Sequence, residues 1–168
     1  MNYAHLAAFA VVLLAPGQSL AKDRAPIEIK APRVTLSGWV SDVSKALDEN
    51  LRYPLDSFPA LPESGYASIT FRVGADGSPV DVTLRRSTGN KRLDRAAMLA
   101  VAGMTNIGPL PATAGVARKV RANILFAADA VTLAELAREE RRDMARLAAT
   151  SEGRNEIALT TSAAPTAG

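Results

Sequence analysis

Few residues in this chain could carry covalent or proton-transfer chemistry. Its 168 residues include one histidine, His5, and no cysteine. A Ser-His or Cys-His nucleophile pair, or a zinc site of ordinary ligation, therefore has no residues to be built from beyond the first few positions. Asp76 and Asp81 flank a turn and form a carboxylate pair that could converge, but a turn residue beside a strand-surface residue accounts for them more simply. Gly74 and Gly77 fall inside a chain reversal rather than between a strand and a helix, so they do not cradle phosphate. These observations point away from an enzyme, a metal or a cofactor. What remains is main-chain chemistry: an unpaired strand edge offers N–H and C=O groups to another extended chain.

The elements that would position such an edge follow from periodicity. Ala67, Ile69, Phe71 and Val73 alternate with Ser68, Thr70 and Arg72, which predicts a strand with one face in water. The run Gly74 to Ser78 reverses the chain, and Val80, Val82 and Leu84 alternate with Asp81, Thr83 and Arg85 on the return. Leu93, Ala96, Ala97, Ala100, Val101 and Met104 recur at helical spacing, with Asn90 as cap and Asp94 in the first turn. After Pro109-Leu110-Pro111, a third strand places Val120, Ala122, Ile124 and Phe126 inward and Lys119, Arg121 and Asn123 outward. Upstream, Trp39, Val43, Ala46, Leu47 and Leu51 mark a helix capped by Ser37 or Ser41 and stopped by Pro54. The fold class is thus α+β: a small two-layer domain, with a three-stranded antiparallel sheet (hairpin 66–86 plus strand 116–127) and helices 39–51 and 91–104 on one face.

Beyond this unit, Leu133, Leu136, Ala137, Met144 and Leu147 form the stripe of a C-terminal helix over about 131–149. Glu135 with Arg138, Glu139 with Arg142 and Asp143 with Arg146 support it as i,i+3 pairs. Residues 151–168, rich in Thr, Ser, Ala and Gly, are expected to be disordered. At the other end, the apolar run from Leu6 to Ala15 and the small-x-small site Ser19-Leu20-Ala21 read as a cleaved secretory signal over 1–21. As a helix, Ala4 to Ala15 would span ~18 Å against a hydrocarbon core of ~30 Å. The mature chain then starts at Lys22 with a linker over 22–36, the domain occupies 37–128, and the amphipathic helix 129–150.

The motifs Tyr53-Pro54, Asp76-Gly77, Ser87-Thr88-Gly89, Leu93-Asp94 and Ala96-Ala97, followed by Pro109 and Pro111, resemble in order and spacing the C-terminal domain of the TonB family. The resemblance covers roughly residues 51–127. It implies a periplasmic module of transmembrane transport that captures an extended peptide of an outer-membrane transporter by strand addition beside the last of its three strands. Carried over by position, the partner-binding residues are Tyr53, Pro54, Val116, Arg118, Val120, Arg121, Asn123 and Leu125. The family's membrane helix and long Pro-rich spacer find no match here, which separates this chain from energy coupling in its usual form. An alternative is an envelope assembly protein that self-associates, as a homodimer, through the sheet edge or the C-terminal helix.

Charge bears on the partner. Net charge is +3, but Val82 to Ala128 carries eight basic residues, Arg85, Arg86, Lys91, Arg92, Arg95, Arg118, Lys119 and Arg121, against Asp94 alone. These cations could steer an acidic peptide to the edge or simply deter aggregation there. Nucleic acid is disfavoured, because no aromatic residues are interleaved with the charge.

Overall fold

Thr35 caps the first described helix: its hydroxyl accepts the Gly38 N–H at 3.1 Å. The computed structural model describes residues 35–54, 62–115 and 119–165. The expected signal segment, and the linker up to residue 34, lie outside the described residues. Helix α1 (Leu36–Asn50) starts three residues before the expected 39–51, because Thr35 caps it rather than Ser37 or Ser41. Its Trp39, Val43 and Leu47, one per turn, are buried.

Strands β1 (Gly65–Val73) and β2 (Pro79–Arg86) form the hairpin. In the turn, Asp76 Oδ1 accepts the Ser78 N–H at 3.0 Å. Gly77 adopts φ 75°, and a Cβ there would lie 3.1 Å from the Gly108 nitrogen, so the position favours glycine on two counts. Helix α2 (Lys91–Ala102) is capped by Asn90, as its sequence predicts, through the N–H groups of Arg92 and Leu93. Strand β3 (Lys119–Phe126) pairs antiparallel with β1.

The C-terminal third departs from expectation. Helix α3 (Ala130–Ala148), capped by Asp129, and a short helix α4 (Ser151–Arg154) lead into a strand β4 (Glu156–Ala163), within the segment expected to be disordered. β4 lies parallel to β3, in register from Lys119–Glu156 to Phe126–Ala163. A parallel pair needs a crossover connection, and α3 supplies it. The sheet therefore has four strands in the order β2-β1-β3-β4, not three, and is mixed rather than antiparallel.

Side-chain alternation sorts the two faces. Ile69, Phe71, Val120, Ala122, Ile124, Phe126, Ile157 and Leu159 share one core with α1 and α2. α2 lies over β1 and β2, and α1 over β4. α3 crosses the opposite face, which gives three layers in place of the expected two. Ser68, Thr70, Arg121 and Asn123, expected in water, are buried there. Burial of Ile157 and Leu159 contributes about 1.5–3 kcal/mol each, which favours a strand where composition alone marks the tail as loose.

Candidate protein-binding surface

The outer row of β3, expected to stand open, is paired along its described length with β4. Ala163 C=O, for example, accepts the Ala127 N–H at 3.1 Å. The open third-strand edge is thus corrected. Val120, Arg121, Asn123 and Leu125 are buried rather than displayed. Val116 and Arg118 lie outside the described residues. Tyr53 and Pro54 are half-buried. The Tyr53 hydroxyl donates to the Glu63 carbonyl at 2.6 Å, and its ring meets Phe126 edge to face, with centroids 6.1 Å apart. Burial raises its pKa, partly opposed by that hydrogen bond.

A polar layer fastens α3 and β4 to β1 and β3. Glu140 Oε1 accepts from Asn123 Nδ2 at 2.9 Å and from the Thr160 hydroxyl at 3.0 Å. Asn123 Oδ1 accepts from the hydroxyls of Tyr66 (3.2 Å) and Ser68 (3.0 Å). Arg121 donates from Nη1 to Ser68 and from Nε to Glu156 Oε2 at 2.6 Å, with both charged side chains almost wholly buried. Arg86 lies 4.7 Å from the Tyr66 ring centroid and pairs with Glu139 and, at 2.8 Å, with Asp143. Burial pushes the Tyr66 phenol up to about 12, aided by the nearby Asp143 and Glu140 charges and opposed by Ser68 and Arg86. Sequence reasoning missed Glu140, Glu156 and Thr160. The signal was there: Ile157, Leu159 and Thr161 alternate with Ala158, Thr160 and Ser162.

Of the expected i,i+3 pairs on α3, Asp143 and Arg146 stand 3.8 Å apart, while Asp143 and Glu139 also reach across to Arg86. Asp76 and Asp81 resolve as the simpler reading had them: Asp76 braces the turn, and Asp81 Oδ2 accepts from Arg72 Nε at 2.6 Å. Among the described residues no group of three or more His, Cys, Asp or Glu could hold a metal ion, and no helix is long and apolar enough to cross a membrane.

Several clefts lie among the described residues. One of about 610 Å³ lies between the end of α1 with the following segment (Asp48, Leu51, Arg52, Tyr53) and the C-terminal half of β4 (Thr160 to Ala164). A second, about 700 Å³ and largely apolar, runs from Trp39 past Pro109-Leu110-Pro111. A third, about 360 Å³, gathers Arg85, Arg86, Arg121 and Arg146 beside α3, but Glu152, Glu139, Glu156 and Asp143 pair with them.

Comparison with known proteins bears on the same stretch. Residues 49–127, from the end of α1 through β3, match the family described as Gram-negative bacterial TonB protein C-terminal. The chain is 30% identical over 77 residues to Protein TonB of Haemophilus influenzae, covering 46% of this chain and 28% of that protein. It is likewise 30% identical over 77 residues to Protein TonB of Pasteurella multocida, covering 30% of that protein. The chain thus spans less than a third of the length of these relatives. No solved structure matches significantly. The match ends at Ala127, so α3, α4 and β4 lie outside it. Over residues 49–127 this chain is similar to the TonB C-terminal domain family.

Proposed function

We propose that this chain is a periplasmic TonB-like protein-binding module that holds an extended segment of an outer-membrane transporter, or of another envelope protein, by pairing it to a sheet edge. Through that contact it takes part in transmembrane transport, without catalysis of its own. The observation that carries this reading is the family match over 49–127, the segment that builds the hairpin, α2 and β3. Main-chain pairing suits a chain poor in catalytic side chains, because the backbone supplies affinity and alternate side chains select the guest. While β4 is in place, β3 itself cannot serve as that edge.

A second reading is an envelope assembly protein that self-associates, favoured by the closure of β3 and by the exposure of Val131 at the start of α3. One experiment separates the two. A tagged chain is expressed in its own cell envelope and crosslinked with formaldehyde, and the adducts are identified by mass spectrometry. An adduct with an outer-membrane transporter is expected, together with impaired uptake of that transporter's substrate when the gene is deleted. Self-adducts alone, with uptake unchanged, would refute the transport reading.

A further inference from the structure

We propose that the receptive edge of this sheet is the outer edge of β4, and that its occupant is an extended, uncharged segment of a partner polypeptide. The proposal rests on the strand-capture reading above and moves its site outward by one strand. The two edges of the sheet differ in kind. Along β2, Pro79 opens the strand, Asp81 takes φ 55°, the register with β1 slips twice, and Arg85-Arg86 end it. Proline, bulges and charge are features that hinder pairing with another strand. β4 has no such protection: from Ile157 to Ala163 there is neither charge nor proline nor a left-handed residue, and its register with β3 is continuous.

The backbone groups can be assigned. Ala163 turns its carbonyl to β3, so by alternation Ile157, Leu159 and Thr161 also face inward. The N–H and C=O groups of Ala158, Thr160 and Ser162 therefore point away from the sheet, and the side chains of these three residues are small and exposed. Beside them lies the 610 Å³ cleft under Asp48, Leu51, Arg52 and Tyr53. The cleft shares Thr160, Thr161, Ser162 and Ala163 with β4, so a strand paired to this edge would border it.

The cleft also defines the guest's charge. Asp48 accepts from the Thr161 hydroxyl, and Arg52 donates to the Leu51 carbonyl at 2.9 Å. With one charge of each sign, the cleft has no net charge to draw a charged guest.

The test selects phage-displayed short random peptides on the immobilised full-length chain, then measures the recovered peptides against Ala158→Pro, Ser162→Pro and Ser162→Ala. Each proline removes an outward amide without touching a β3–β4 bond. Retained Trp39 fluorescence and slow exchange of β3 amides establish that a variant is folded, and either proline variant alone suffices. Selected peptides should be uncharged, and their binding should weaken about tenfold or more in the proline variants while Ser162→Ala binds as before. Equal binding to the proline variants would overturn the β4 assignment and leave strand capture standing. Recovery of no peptide would overturn strand capture as well. A wild-type dimer by light scattering that the prolines convert to monomer would overturn the peptide occupant in favour of a second copy.

Discussion

Arg121 and Glu156 illustrate how one residue pair changes meaning between sequence and fold. Arg121 is exposed in a strand pattern and steering in a charge map, yet in the folded chain it is buried and bonded to both Glu156 and Ser68. Removing one member of such a pair leaves the other charge without compensation. Arg121→Met should therefore destabilise by about 3–5 kcal/mol in urea unfolding, and adding Glu156→Gln should recover a large part of the loss. An unchanged midpoint for the single variant would count against the buried pair. Tyr66 gives a pH-dependent counterpart. Its folded pKa, raised from 10.0 to about 12, favours the protonated phenol in the native state. The associated stability is full below pH 10 and is lost as pH rises towards 12, amounting to about 2 kcal/mol. Denaturation of wild type and Tyr66→Phe across that window checks it, since the phenylalanine variant should lack this component of the alkaline decline.

At the scale of elements, β4 is the decisive addition. It is held by two core residues, Ile157 and Leu159, by the buried ion pair and by its ladder to β3. Leu159→Ala should cost about 2–5 kcal/mol and release β4, so that exchange of the Arg121, Asn123 and Leu125 amides becomes fast. An unstructured tail would show neither effect. The hairpin, α2 and α3 were legible beforehand because their patterns are long or well capped, as with Asn90 and the repeated alanines of α2. β4 was not, because its alternation rests on Ile157, Leu159 and Thr161 alone, in a segment whose Thr, Ser, Ala and Gly content reads as a loose tail. The start of α1 was misplaced for a related reason: Thr35, Ser37 and Ser41 are all competent caps, and only the bond from Gly38 selects among them.

For the whole molecule, the added segment does not stand apart from the family domain. Ile157 and Leu159 belong to the same core cluster as Trp39, Phe71 and Phe126. Thermal unfolding followed by far-ultraviolet circular dichroism and by Trp39 fluorescence should therefore give coincident transitions. Loss of helical signal well before the tryptophan change would mean that α3 and β4 detach as a unit of their own. If they do not detach, β3 stays paired with β4 throughout the native state.

The sequence by itself determined most of the local elements, β4 excepted, and the family resemblance over roughly 51–127, because periodicity, caps and turn residues act between near neighbours. It also bounded the chemistry by withholding cysteine and all histidine but His5. Only the tertiary structure decided which edge is closed and which face is dry. Both outcomes depend on contacts between residues far apart in the chain, such as Arg121 with Glu156 and Asn123 with Glu140, and on a core that gives an unremarkable tail enough buried surface to become a strand.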